Sequence, residues 1–145
     1  MIIWFTGQPG SGKTTLANEL KEKILYSHFY LKHKIIHLDG DELRNILNHK
    51  DYTESGRKKL IQFVIDMATV LDSMGYFVII SLLSQYRDMR IGNIFYLSST
   101  RQLRKEYWVD EYEIPKDNFT EINTDLSVEK NIEQIIKILE KNNTF

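Results

Sequence analysis

The chain has 145 residues, 42% of them hydrophobic and 27% charged, with a formal net charge of −1. That length carries one well-buried core and is short for two, so a single domain over 1–145 is expected. Near-neutrality argues against a broad basic surface for nucleic acid or an anionic membrane, so any anion site must be local. The absence of cysteine excludes disulfides, thiolate metal sites and a cysteine nucleophile, and fits a reducing, cytoplasmic setting.

In chain order, Ile2 to Phe5 is apolar and strand-sized; Thr6, Gly7, Pro9 and Gly10 break it at once, leaving no room for a signal-peptide core. Lys13 to Leu25 reads as a helix beginning under a glycine-rich turn. Ile35 to Leu38 is a second strand, and Asp41 to Leu47 a shorter helix. Glu54 to Met74 repeats apolar residues at Leu60, Phe63, Val64, Met67, Val70 and Leu71, which predicts a long helix with one buried face. Tyr76 to Leu83 is the longest apolar strand candidate and is far short of the roughly 20 residues that span a bilayer. Ile94 to Leu97 and Phe119 to Ile122 complete five strands. Ser127 to Lys141 closes the chain as a helix, with Ser127 as N-cap and Val128, Ile132, Ile135, Ile136 and Leu139 inward.

Strands alternating with helices need crossover connections, so the expected architecture is α/β, three layers around a mostly parallel five-stranded sheet; the glycine-rich turn Gly7 to Thr15 after the first strand makes the expected fold that of a P-loop NTPase. Ligands then bind beyond the carboxyl edge of the strands. The chemistry-bearing residues fall at that edge. Gly7-Gln8-Pro9-Gly10-Ser11-Gly12-Lys13-Thr14-Thr15 follows the spacing of a phosphate loop, directly between a strand and a helix. Its glycines let successive N–H groups face inward, and the helix that follows adds its positive end. Lys13 supplies a charge for the outer phosphates of ATP, Thr14 a hydroxyl for Mg²⁺, and Thr15 support for the inner phosphates.

At the end of the second strand stands Asp39-Gly40-Asp41-Glu42-Leu43-Arg44. One carboxylate can orient Mg²⁺ and another can position an acceptor hydroxyl, the two tasks phosphoryl transfer asks of a protein. Which of Asp39 and Asp41 does which is open, and helix N-capping is the alternative use of either.

With these residues in view, the chain resembles the adenylyl-sulfate kinases, whose pattern joins a Gly-x-Pro-Gly-Ser-Gly-Lys-Thr-Thr loop to a Leu-Asp-Gly-Asp segment followed by arginine, here Gly7 to Thr15 and Leu38 to Arg44. The likeness continues at Arg57, at Ser84-Gln85-Tyr86-Arg87 for the family's Ser-Pro-Tyr-Arg, at Val109 to Pro115, and at Asn123-Thr124. The resemblance implies an ATP- and Mg²⁺-dependent kinase acting on the ribose 3′-hydroxyl of adenylyl sulfate or a related nucleotide conjugate. By position it implies Lys13, Asp39, Asp41 and Ser84 as catalytic residues, with Thr14 and Asp39 at the metal. It implies Asp41, Arg44, Tyr52, Arg57, Leu83, Ser84, Arg87 and Trp108 around the acceptor. The arginines suit phosphate groups because guanidinium makes paired, planar hydrogen bonds. Tyr52 matches a phenylalanine that stacks on the acceptor base, with Tyr107 or Trp108 as the other face or else as core. Ser84 matches a serine described as a phosphoserine intermediate; direct transfer needs none, which favours a hydrogen-bonding serine. The family's tendency toward dimers adds a homodimer to the expectation.

Three departures accompany the likeness. Gln85 replaces proline, Leu60 stands where the family has asparagine, and about a dozen residues separate Leu97 from Val109, where relatives carry a long basic lid. Arg101, Arg104 and Lys105 are the cations available to compensate. A kinase for another small alcohol and a non-catalytic nucleotide-binding module are the competing readings.

Overall fold

The computed structural model describes residues 1–28, 32, 34–101 and 105–142. Among these, β1 (Ile2–Thr6), α1 (Lys13–Ser27), β2 (Ile35–Asp39), α2 (Gly40–Leu47), α3 (Glu54–Ser73), β3 (Phe77–Ser81), β4 (Asn93–Ser98), β5 (Phe119–Asn123) and α4 (Val128–Lys141) follow in order, with single 3₁₀ turns at Arg87–Met89 and Lys105–Tyr107. The strands form one sheet in the order β2-β3-β1-β4-β5, and all four pairings are parallel. This is the expected P-loop architecture.

Parallel strands joined by helices are covered on both faces, so their residues are apolar in runs and alternate between two cores. Ile3 and Phe5 of β1 and Ile79 of β3 join Leu16, Leu20 and Ile24 of α1 and Ile132, Ile135 and Leu139 of α4. Trp4, Val78 and Ile80 point the other way, onto Leu60, Ile61, Val64 and Ala68 of α3. Every residue of β3 is buried, as a strand second from the edge and roofed on both sides should be.

The helix starts follow side-chain chemistry. Asp39 caps α2 through Glu42 N–H, Thr53 caps α3 through Gly56 N–H, and Ser127 caps α4 through Lys130 N–H as the sequence predicts. Among the described residues, no helix is long and apolar enough to cross a membrane.

Three expectations are corrected. Tyr76 to Leu83 is a strand only from Phe77 to Ser81, because Leu82 and Leu83 leave the ladder for a turn in which Ser84 takes φ 42°. On α3 the inward row is Leu60, Ile61, Val64 and Ala68, whereas Phe63 and Val70 are 37% and 57% exposed. Phe63 and Val70 are seven residues apart and so share a stripe, on the flank of the row that meets the sheet. Val128, the first residue of α4, is also exposed. This division has an energetic consequence. Leu60→Ala is expected to cost about 2–5 kcal/mol in urea unfolding, and Val70→Ala less than about 0.5 kcal/mol; equal losses would contradict the assigned face.

Candidate active site

The register of the sheet assembles the site. Asp39 of β2 pairs with Ser81 of β3, and Ser81 with Phe5 of β1, so the carboxyl ends of three strands finish side by side under the glycine loop. Between β1 and α1 the loop bends back, and Gly12 adopts φ 103° as N-cap of α1, a conformation costly for residues with a Cβ. At Gly7 the limit is space: a Cβ there would lie 2.6 Å from Ser11 Oγ and 3.0 Å from the carbonyl of Leu97. The Lys13 ammonium donates to the carbonyls of Gly7 and Gln8, both at 2.9 Å, folded along the rim of the loop. Gly10 and Thr15 are exposed, Pro9 is half-buried, and Ser11 lies fully buried, its hydroxyl without a hydrogen-bond partner among the described residues.

Asp39 is where three elements meet. Its Oδ1 accepts hydrogen bonds from Thr14 Oγ1 at 2.7 Å and Ser81 Oγ at 2.6 Å, and its Oδ2 accepts from Glu42 N–H at 3.2 Å. Burial alone would raise its pKa; the hydrogen bonds from Ser81, Thr14 and Glu42 outweigh it, and the carboxyl is held below its ordinary value. His37 stands behind, its Nε2 2.6 Å from Ser81 Oγ and its Nδ1 3.1 Å from Asn18 Oδ1. Because Ser81 donates to Asp39, its oxygen is the acceptor for His37 Nε2–H. Burial, ahead of the opposing pull of Asp39, lowers the His37 pKa. Thr14 and Asp39 form a pair of hard oxygen donors that suits Mg²⁺. Among the described residues there is no cluster of three His, Cys, Asp or Glu that could hold an ion, so an ion here would complete its shell with phosphate oxygens and water.

A second group lies beyond α2. Arg44 stacks on Tyr52, its guanidinium carbon 4.3 Å from the ring centroid, and its Nη1 donates to His49 Nδ1 at 3.0 Å. These residues line a recess of about 430 Å³ with Asn45, Asn48 and Lys50. Burial first, then Arg57, lowers the Arg44 pKa against the pull of Tyr52, Asp41 and Asp51. Arg57 is therefore near enough to oppose the charge on Arg44, and its side chain makes no hydrogen bond or ion pair among the described residues. Two half-buried guanidiniums of like charge are chemistry that suits an anion. Tyr52 keeps 60% of its surface exposed, and Asp41 is exposed in the first turn of α2.

Ser84 is 1% exposed. Its hydroxyl accepts from Trp4 Nε1 at 2.8 Å and lies 3.1 Å from Leu82 O and 3.2 Å from Thr6 Oγ1, a setting that fits the hydrogen-bonding role better than that of a nucleophile. Leu83, half-buried, gives its carbonyl to Thr6 Oγ1 at 2.9 Å. Arg87 Nε donates to Ile114 O at 2.7 Å, which ties it to the chain after Val109. Trp108 and Tyr107 stand 52% and 61% exposed, so neither is core. Arg101 donates to Thr124 O at 2.9 Å and pairs with Asp125, holding it at the end of β5. Arg104 and the side chain of Lys105 lie outside the described residues.

Sequence reasoning did not single out His37, Ser81, Trp4, Tyr112 or Arg90. The first two are visible only through the β2–β3 register. Arg90 stands three residues after Arg87, a spacing that could have drawn attention to it; it is 6% exposed, donates to Ser84 O at 2.8 Å and packs over Tyr112.

Residues 1–130 match the family model described as Adenylylsulphate kinase. The chain is similar to the cytidine diphosphoramidate kinase of Campylobacter jejuni, 38% identical over 107 residues that cover 73% of this chain and 56% of that one. It is also similar to the adenylyl-sulfate kinase of Burkholderia ambifaria, 37% identical over 61% of this chain and 48% of that one. The chain thus spans about half the length of these two relatives. The solved APS kinase CysC of Mycobacterium tuberculosis, in complex with AMPPNP and APS, superposes with a TM-score of 0.78 at 22% identity over 96% of both chains, a likeness of fold.

Two measurements check the electrostatics. Ser81→Ala removes a hydrogen bond to Asp39, so a carboxyl-carbon NMR titration should find the Asp39 pKa raised; no change would mean that Ser81 does not stabilise the carboxylate. Asp125, bonded to Thr100 and Ser99, is held at about 2 against an ordinary 3.8. Its contribution to stability is complete above the unfolded value and is lost as pH falls through the folded one. Asp125→Asn should therefore lower stability at neutral pH, where the contribution is complete, and flatten the acid-unfolding curve between about pH 4 and pH 2.

Proposed function

The chain belongs to the adenylylsulphate kinase family, and on that footing we propose that it transfers the γ-phosphoryl group of ATP to the ribose 3′-hydroxyl of adenylyl sulfate or a related nucleotide conjugate, such as a nucleotide phosphoramidate. The observation that carries this reading is the hydrogen bond from Thr14 to Asp39 at 2.7 Å. It joins the phosphate loop to the carboxylate that opens α2, the helix that bears Arg44 on the acceptor side.

The roles follow from the surroundings of each group. The loop amides and Lys13 hold the phosphates, and Mg²⁺, when bound at Thr14 and Asp39, supplies charge neutralisation on the transferring group. Asp39, triply hydrogen-bonded and held below its ordinary pKa, is suited to remain ionised and orient that ion. Asp41, exposed one turn position away, is the carboxylate available to position the acceptor hydroxyl and take its proton as the oxygen attacks phosphorus and ADP leaves. Arg44, Arg57 and Arg87 hold acceptor phosphate or sulfate oxygens. Tyr52, with Arg44 on one face of its ring, offers the other face to the base, and Trp108 is a second aromatic available to it. Ser84 fixes the turn after β3.

The same reading includes a cytoplasmic setting and a homodimer, the latter supported by the exposed apolar residues Phe63, Val70 and Met74 along α3. The short connection between β4 and β5 favours one alternative, a module that binds ATP without turning it over, since a long lid would exclude water from the transfer.

ATP consumption at fixed Mg²⁺, with adenylyl sulfate, then cytidine and adenosine diphosphate conjugates, against a control without acceptor, decides between them. Acceptor-dependent turnover is expected; tight ATP binding with no turnover across the panel would favour the module. Lys13→Ala should lower kcat by roughly 10²–10³-fold, whereas Arg57→Ala should raise the acceptor KM about tenfold with little effect on that for ATP.

A further inference from the structure

Gln8 lies inside the phosphate loop, yet its side chain does not face the phosphates. Its Nε2–H donates to the carbonyl of Val109 at 2.8 Å, and its Oε1 accepts Val109 N–H at 3.0 Å. The amide copies the two-bond pairing of a strand edge, against a residue 101 positions away. Gln8 and Val109 are 8% and 7% exposed, so water cannot readily replace either bond once it is lost.

From Val109 the chain crosses to the acceptor side and is fastened there repeatedly. Tyr112 Oη lies 2.8 Å from Thr6 Oγ1, and Glu113 N–H donates to Gln85 O at 2.9 Å. Glu113 O accepts from Arg90 Nη2 at 2.5 Å, and Ile114 O from Arg87 Nε at 2.7 Å. Residues 109–114 thus form a strap between the phosphate loop and the turn that carries Ser84 and Arg87. The exposed Tyr107 and Trp108 stand immediately before its Gln8 end.

We propose that Gln8 is a positioning residue for the acceptor: by holding Val109 it fixes the strap, and with it Tyr107, Trp108 and Arg87, in a chain whose β4–β5 connection is short. Although Gln8 belongs to the ATP loop, its replacement acts on the other substrate. The backbone carbonyl of Gln8 still receives Lys13 Nζ, and a side-chain substitution leaves that contact intact. The acceptor half of this proposal rests on the function proposed above; the hold of Gln8 on the strap does not.

Two variants test it. Gln8→Leu has similar bulk and removes both bonds; Gln8→Glu keeps an acceptor for Val109 N–H and sets a carboxylate against Val109 O. Amide exchange without substrate reads the strap. Val109 N–H should exchange at least about tenfold faster in Gln8→Leu, with Gln8→Glu between the two, while amides of β1 and β3 remain as protected as in the native chain. The chain has two tryptophans, and Trp4 is fully buried, so acrylamide-quenchable emission reports Trp108 and should change in both variants. With adenylyl sulfate and cytidine diphosphate conjugates as acceptors, KM for the acceptor should rise about tenfold and KM for Mg-ATP by less than about twofold. Unchanged Val109 exchange overturns the strap, and an equal rise in both KM values overturns the acceptor role. A native chain that turns over none of these acceptors defeats the functional reading, and the exchange data still decide whether Gln8 holds the strap. If Gln8→Leu fails to fold, Gln8→Glu carries the same comparisons.

Discussion

A carboxylate at the end of β2 holds the site together. Asp39 is bonded to α1 through Thr14, to β3 through Ser81 and to α2 through Glu42, so the phosphate loop, the central strands and α2 share one anchoring point. A buried ionised group is tolerated only when hydrogen bonds replace its lost water, and here each bond comes from a different element. The arrangement depends on register. A shift of one residue between β2 and β3 would turn Ser81 away from Asp39 and exchange the two cores lining the sheet.

On either side of that anchor the chain divides its cations. Lys13 lies along the loop rim, whereas Arg44 stacks on Tyr52 beyond α2 and Arg87 is tethered to the segment after Val109. Such a division suits two separate polyanions brought end to end, with the carboxylates between them. Trp4 belongs to the same plan: a core aromatic whose indole N–H fixes the Ser84 hydroxyl, it joins hydrophobic packing to the geometry of the turn after β3.

Much of this was legible in the sequence because local chemistry dictates it. Glycine spacing located the phosphate loop, apolar runs located all five strands, and Ser127 marked the start of α4. What escaped notice depends on contacts between distant residues. His37 and Ser81 are 44 positions apart, and Gln8 and Val109 are 101 apart; no periodicity encodes either pair. Phe63 and Val70 misled because helical spacing reveals an apolar stripe but not which of two adjacent rows meets the sheet. Gln8 is a further case: its place in the loop says nothing of its side-chain amide, which serves the chain on the far side.

The strand order also governs when the parts come into being. β1 comes first along the chain, but its neighbours are β3 and β4, which begin at Phe77 and Asn93. The glycine loop that follows β1 is therefore unsupported until segments as distant as Phe77–Ser81 and Asn93–Ser98 have docked on that strand. Contacts this distant form late, because loop closure must precede them. The segment richest in chemistry is thus among the last to acquire its shape.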